Sequence, residues 1–352
     1  MPPSAFVWVT HQVAATRWLK AEVAARAPHL KFAFARPGLT TFKADRADQV
    51  GPRVEVPTSF ARAWGLSLGR ADAADAALAL AAPHLRRPLR LHVFERDVDV
   101  PVDEQDAAVR GTRAAAVEAT LRAAAPADAF HAEPRAVAGD LVLDVVVPHA
   151  GEPDEPWLIG LHAHDDHHGP WPGGVGHVPP PPEAPSRAWC KIEEALRWAD
   201  LEPAPGDVAV ELGASPGGAS YAMLCRGVTV YGIDPGEMAP ACLDFTGPHG
   251  NRFVHLHMPA AEVPKAALPR QYQWLLNDVN LAPMVALRYI ERFVALAHGG
   301  LRGAILTLKL NDDGVFAALP RLRERIAKLG APRIRYTQLP SHRSEVVAIL
   351  QW

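Results

Sequence analysis

The chain has 352 residues, 49% hydrophobic and 21% charged, a globular composition that excludes a disordered polyelectrolyte. Its 36 basic and 39 acidic side chains leave a net charge of −3, so any nucleic-acid surface has to be local. There is no run of about 18 apolar residues, no secretory pattern in Met1-Pro2-Pro3-Ser4 and no CxxC pair among Cys190, Cys225 and Cys242. The expectation is a cytoplasmic protein without a membrane helix, a disulfide framework or a cysteine zinc site.

In chain order, FVWVT at residues 6–10 reads as a strand, and an amphipathic helix is predicted over 14–26 with Val13, Leu19, Val23 and Ala24 on one face. LKFAFAR at 30–36 reads as a strand, and a helix is predicted over 59–66. A helix over 73–80, a strand over 89–94, a long helix over 106–124 and strands over 140–147 and 157–162 follow. From 163 to 185 the chain is rich in proline and glycine, including Gly169-Pro170-Trp171-Pro172-Gly173-Gly174, and reads as a stiff linker.

Beyond the linker the pattern becomes strand–helix alternation. A helix over 188–199, a strand over 208–212, a glycine turn and a helix over 219–225 come first. Strands over 229–233, 253–257 and 274–277, a helix over 284–297, a strand over 303–310, a helix over 314–329 and a strand over 346–350 complete it. This alternation predicts an α/β domain with a mostly parallel, Rossmann-like sheet.

Between the first strand and helix of that domain stands Glu211-Leu-Gly213-Ala-Ser215-Pro216-Gly217-Gly218. The glycines allow a ligand to approach the backbone, but their spacing is not the G-x-G-x-x-G of dinucleotide binders, which counts against a nicotinamide oxidoreductase. Asp234, ending the second strand, is placed to accept ribose hydroxyls. Loop and acid together suit a nucleoside without phosphates, S-adenosylmethionine. Read alone, either piece is equally an ordinary tight turn or a surface acid.

The run Ala184-Pro-Ser-Arg-Ala-Trp-Cys-Lys191-Ile-Glu-Glu-Ala-Leu196 resembles the start of the RrmJ/FtsJ-type ribose 2′-O-methyltransferase domain, most closely the RlmM type that acts on a cytidine of 23S rRNA. Members of that family carry a Lys-Asp-Lys-Glu tetrad. The resemblance implies its positions as Lys191, Asp278 in NDVNLAP, Lys309 in LTLKL and Glu345 in SEVVAIL. It further implies an S-adenosylmethionine site at Glu211, Gly213, Ser215, Pro216, Gly217, Gly218, Asp234, Met258 and Asp278, and RNA as the partner. In the same way it implies a ferredoxin-like unit over 1–70 and a THUMP-like RNA-binding unit over 71–162, ahead of the linker at 163–185 and the methyltransferase domain over 186–352. The sequence departs from the family at Ala219, where tryptophan is usual, and at Met258, near which an adenine-contacting aspartate is usual. Those departures motivate an alternative reading, a catalytically decayed RNA-binding or ribosome-assembly protein.

A ribose hydroxyl is a poor nucleophile, and methyl transfer from a sulfonium needs oxygen, carbon and sulfur in line. A lysine beside the hydroxyl can take its proton or stabilise the alkoxide that develops. Lys309 is the candidate base. A second cation, Lys191, is expected to lower its pKa, while Asp278 and Glu345 orient it. No metal is required. His162-Ala-His164-Asp165-Asp166-His167-His168 is dense in metal-binding side chains, but neighbouring residues point apart and no distal motif completes a shell, so a solvated or RNA-facing loop is expected. Three basic groups are candidate phosphate contacts. They are Arg17, Lys20, Arg26, Lys31, Arg36 and Lys43; Arg86, Arg87 and Arg90; and Arg321, Arg323, Arg325, Lys328, Arg333 and Arg335. Each also reads as a solvated face.

Overall fold

The structure is a computed structural model and describes residues 5–85, 88–96, 104–149, 152, 154–175, 178–310, 313–342 and 345–352; side chains are described outside 104–111 and 313. Arg86 and Arg87 lie outside the described residues. The chain divides into two compact units, Met1–His177 with Arg197–Asp200, and Val178–Leu196 with Leu201–Trp352.

The first unit is built on one seven-stranded sheet. Its strands are β1 (Phe6–Thr10), β2 (Leu30–Arg36), β3 (Leu39–Ala44), β4 (Ala63–Ala71), β5 (Arg90–Glu95), β6 (Leu141–Val147) and β7 (Trp157–Ala163), in the order β2-β3-β1-β4-β7-β6-β5. All neighbours are antiparallel except β5 and β6. Helix α1 is Thr16–Arg26, α2 is Ala74–Ala81 and α3 is Glu104–Ala124. The alternation of β5 and β6 sends Leu91, Val93, Leu143 and Val145 to one side, where they form a core with Ala77 and Ala81 of α2 and Leu121 of α3. On the other side Trp8, Leu39, Val146 and Leu158 make a second, smaller cluster. Gly160 is required there: a Cβ at this position would lie 2.1 Å from Trp8 Nε1.

The predicted helix over 59–66 is replaced by β4. It is a central strand hydrogen-bonded to both β1 and β7, and that pairing outweighs the local helix preference of SFARAWGL. β4 also runs through residue 70, and the unit reaches into the segment predicted as linker.

In the second unit, helix α4 (Ala188–Ala199) precedes β8 (Val208–Leu212), α5 (Gly218–Leu224), β9 (Thr229–Ile233), α6 (Pro240–Leu243), β10 (Phe253–Leu256), β11 (Trp274–Asn277), α7 (Pro283–Leu296) and β12 (Gly303–Lys309). Then come α8 (Asp313–Ala317), α9 (Leu319–Ala327), β13 (Arg333–Thr337) and β14 (Glu345–Gln351). The single helix predicted over 314–329 is thus two, and Pro320, which has no N–H to continue α8, stands in the first turn of α9. The sheet runs β10-β9-β8-β11-β12-β14-β13. The first five strands are parallel, and β14 is antiparallel to both neighbours. Successive strands step outward from β8 toward β10, then the chain returns to the other side of β8 with β11. That reversal opens a crevice at the carboxyl ends of β8 and β11, the position where open α/β sheets hold ligands.

Candidate functional site

Four chain segments converge at that end of the second sheet. Lys191 comes from α4, Asp278 directly follows β11, Lys309 ends β12 and Glu345 begins β14. Because β14 runs antiparallel to β12, its first residue falls opposite the last of β12, and Lys309 and Glu345 are direct cross-strand partners. Lys191 Nζ donates to Asp278 Oδ2 at 3.0 Å and to Glu345 Oε1 at 3.0 Å. Lys309 Nζ donates to Glu345 Oε1 at 2.6 Å and lies 2.8 Å from Asp278 Oδ1. Two cations and two carboxylates therefore alternate around a closed, largely buried ring, which brings all four predicted tetrad members together.

The ring's charges set its protonation. Burial alone pushes the Lys309 ammonium down, but Asp278 and Glu345 more than offset it, and the amine is held above the usual lysine range. This corrects the expectation of a depressed lysine: the two carboxylates, not Lys191, dominate its field. Glu345 is pulled down to about 2. Burial opposes that shift, and Lys191 and Lys309 outweigh it. At neutral pH the resting ring holds Lys309 protonated and Glu345 ionised.

Beside the ring lies the glycine turn. Gly213 has φ +79°, and a Cβ there would sit 2.8 Å from Val279 N, so the turn presses against the peptide that follows Asp278. Asp234 is half-buried, with Oδ1 accepting from Gly236 N–H at 2.7 Å and Oδ2 from Ser215 N–H at 3.1 Å. These bonds fix its carboxylate and leave one lone-pair direction on each oxygen, the acceptor set that two vicinal ribose hydroxyls need. Met258 is half-buried just after β10, and Ser215 and Pro216 stay accessible at the turn. These residues fit a nucleoside such as S-adenosylmethionine.

Other predicted cofactor residues are placed differently. Gly217 and Gly218 are buried, and a Cβ on Gly217 would meet Cys242 Sγ at 2.5 Å; the turn is packed against protein on that side. Glu211 is 2% exposed and accepts from the Ser220 hydroxyl. Burial pushes its carboxyl up to about 8, so at neutral pH it is a mostly protonated buttress beneath the turn. Ala219 is buried in α5.

The histidine-rich segment is not the solvated loop expected from its polarity. His162, His164 and His168 are 3%, 7% and 6% exposed, packed with His92 of β5 and Asp144 of β6. The period-2 geometry of β7 turns His162 inward, where Nδ1 meets Asp144 Oδ2 at 2.6 Å. Sequence reasoning missed this because His92 and Asp144 stand 70 and 18 positions from His162. The rings of His162 and His168 stack with an interplanar angle of 16°, and among the described residues no group of three or more side chains is placed to hold a metal ion.

Several basic candidates are already engaged. Arg90 pairs with Asp140, Arg36 with Glu155 and Arg325 with Glu291, while Arg335 is buried. Arg323 stacks on Tyr336 and Lys20 on Phe32. Lys31, Lys43, Arg321 and Lys328 remain exposed.

A mostly parallel sheet with a nucleoside-compatible turn and an acid after its second strand fits a Rossmann-like methyltransferase domain. The family model for FtsJ-like methyltransferases matches residues 184–279. The chain is similar to the ribosomal RNA large subunit methyltransferase M of Halorhodospira halophila, 34% identical over 180 residues, which is 50% of each protein. It is also similar to the Methylococcus capsulatus protein of the same description, 32% identical over 195 residues and 53% of each. The chain spans about half the length of the curated relatives it matches. Among solved structures, a Burkholderia thailandensis 1,6-didemethyltoxoflavin-N1-methyltransferase is 17% identical, covering 48% of this chain and 77% of that one with a TM-score of 0.33. The Synechocystis magnesium protoporphyrin IX methyltransferase is also 17% identical, covering 47% and 80% with a TM-score of 0.34. Likenesses this distant carry no functional argument.

Proposed function

We propose that this chain is an S-adenosylmethionine-dependent ribose 2′-O-methyltransferase acting on structured RNA, with a cytidine of large-subunit rRNA as the target. The observation that carries the reading is the closed Lys191–Asp278–Lys309–Glu345 ring beside the glycine turn. When bound, the cofactor supplies an electrophilic methyl group on a sulfonium. Asp234 would hold its ribose and Met258 would pack against its base. Lys309 would handle the substrate's 2′-hydroxyl. Its protonated state at rest suits it to orient that oxygen and to stabilise the negative charge that develops there. To accept the hydroxyl proton, Lys309 must first release one to solvent, because Glu345, pulled down to about 2, is too weak a base to take it. Lys191 holds Asp278 and Glu345 in place. The N-terminal region, which the resemblance implies to be ferredoxin-like and THUMP-like, would hold the RNA, and the protein would work in the cytoplasm.

The test is transfer of labelled methyl from S-adenosylmethionine to large-subunit rRNA, followed by mapping of 2′-O-methylated riboses. A single modified cytidine is the expected result. Calorimetry showing no cofactor binding would overturn the reading in favour of a decayed RNA-binding protein, the alternative that Ala219 and Met258 raise.

A further inference from the structure

We infer that Glu194 is a positioning residue for the tetrad, coupling the helix that carries Lys191 to the turn that leads into Glu345. The inference rests on the function proposed above and goes beyond it, since Glu194 belongs to neither the tetrad nor the cofactor set.

Glu194 lies one helical turn after Lys191 on α4, so the two side chains project from neighbouring positions of one face. Its carboxylate is buried and binds Ser341 with both oxygens. Oε2 accepts from the Ser341 backbone N–H at 2.9 Å, and Oε1 accepts from the Ser341 hydroxyl at 2.6 Å. The turn it grips is itself rigid. His342 N–H donates to the Leu339 carbonyl at 3.0 Å, and its ring Nδ1 accepts from the Leu339 N–H at 3.1 Å. Leu339 and His342 are fully buried. Ser341 stands four residues before Glu345. The tetrad has its own link between the same two elements, Lys191 to Glu345. The Glu194–Ser341 pair is thus a second tie running alongside the first. A carboxylate binding two donors at once fixes both distance and orientation. Burial raises the loss when one partner is removed. The chemistry does not touch Glu194; it acts through where Lys191 and Glu345 stand.

The consequence concerns Lys309. Glu345 is one of the two carboxylates holding the Lys309 amine above its usual range. If the turn drifts and Glu345 moves off, that support weakens and Lys309 titrates at lower pH. A residue that only stabilised the fold would change melting behaviour without moving this titration.

Two readouts on the full-length protein test the idea with E194A, E194Q and S341A. The first is methyl transfer. E194A should lower kcat about 10–100-fold, since a misplacement of about 1 Å at a reacting centre costs up to about 10²-fold, while KM for S-adenosylmethionine stays within about twofold of wild type. E194Q, which keeps one acceptor oxygen, should recover part of the loss, and S341A, which keeps the backbone bond, should fall between wild type and E194A. The second readout needs no activity: acylation of Lys309 across pH, followed by mass spectrometry. The midpoint of Lys309 reactivity should lie at lower pH in E194A than in wild type. Wild-type kcat with an unmoved midpoint in soluble, folded E194A overturns the inference, as does a loss of kcat with an unmoved midpoint. If wild type itself transfers no methyl to RNA, the proposed function falls, and the Lys309 midpoint still decides whether Glu194 positions the ring.

Discussion

The tetrad of the second unit and the histidine cluster of the first are both groups of largely buried ionisable side chains, yet burial acts on them in opposite ways. In the tetrad, cations and carboxylates alternate, each charge finds an opposite at 2.6–3.0 Å, and the ring stays ionised. In the cluster, four imidazoles crowd two carboxylates, the buried Asp144 and the half-buried Asp165, which meets His168 Nδ1 at 2.9 Å. Burial there drives His92 to about 4, His162 to about 3, His164 to about 4 and His168 downward, and raises Asp144 to about 7. The buried Asp144 Oδ1, His162 Nε2, His164 Nδ1 and His168 Nε2 have no hydrogen-bond partner. Desolvation sets the charge state unless an opposite charge lies within a few ångström. Every member of the tetrad meets that condition, whereas in the cluster only His162 and His168 have a carboxylate within 3 Å.

Acid should therefore separate the two units. A histidine whose folded pKa is depressed stabilises the fold fully only above its unfolded value of about 6.5, and that contribution is lost as pH falls toward the folded value. His11, also buried and lowered to about 4, joins His92, His162 and His164 in this window. Asp144 has the opposite sign: it favours the fold below its unfolded value and loses that contribution as pH rises through about 7, so it cancels one histidine near pH 5. About three protons remain, and unfolding of the first unit should become easier by roughly 4 kcal/mol per pH unit between pH 6 and 5. Hydrogen exchange on the full chain measures it. Peptides from β5, β6 and β7 should lose protection at pH 5 while those from β8, β11 and β12 keep it. Equal loss in both units would break the comparison.

The next effect in size is on the tetrad. Lys309→Ala should cut methyl transfer about 10²–10⁴-fold while cofactor affinity stays within a few fold, because the chain's cofactor-facing groups lie on other strands. Single-turnover transfer together with calorimetry checks both halves. Wild-type turnover would remove Lys309 from the chemistry.

A smaller loss should come from the turn that joins cofactor site and ring. Gly213→Ala places a Cβ against Val279 N in a left-handed backbone, a strain of about 1–3 kcal/mol. Cofactor Kd should rise about tenfold. Gly250 has φ +70° with nothing within 4 Å of its Cβ position, so Gly250→Ala should leave Kd unchanged. If both substitutions weaken binding alike, the close approach at Gly213 is not what shapes the site.

The two units also differed in how far their sequences could be read. In the second, strand–helix alternation placed nine of thirteen elements within two residues, because a parallel sheet covered by helices writes itself as apolar runs separated by turns, while α6 and β13 were missed and α8 and α9 were read as one helix. The tetrad was legible only through resemblance; nothing in the spacing of Lys191, Asp278, Lys309 and Glu345 shows that they meet. Their pKa directions depend on distances of about 3 Å that no sequence states. In the first unit, β3 was missed although Pro37-Gly38 marks its turn, and β4 was read as a helix because Gly65 and Gly69 interrupt its alternation. The burial of His162, His164 and His168 was illegible for a simpler reason. Polar residues are mostly outside, and only the pairing of β6 with β7 brings Asp144 to His162.

The smallest expected effect asks which unit touches RNA. In the first, Lys31 and Lys43 are direct cross-strand partners on β2 and β3, and Phe6 is the partner of Lys43 on β1. Two like charges facing one another on a sheet repel, a cost that a bound anion would relieve. Both lysines are exposed, with Lys31 Nζ donating to the Pro28 carbonyl at 2.5 Å and Lys43 Nζ 5.8 Å from the ring centre of Phe6, itself 40% exposed. In the second unit the exposed members of the late basic group are Arg321 and Lys328: Glu291 engages Arg325, Arg323 stacks on Tyr336, Arg333 is half-buried and Arg335 is buried. Each phosphate contact removed should lower the salt slope of RNA binding by roughly 0.7–0.9. Lys31→Ala with Lys43→Ala should thus lower it by about 1.5, and Arg321→Ala with Lys328→Ala by less. Filter binding over a salt series gives both slopes. A larger drop for the Arg321 and Lys328 pair would move the RNA to the catalytic unit and leave the lysine pair without a partner.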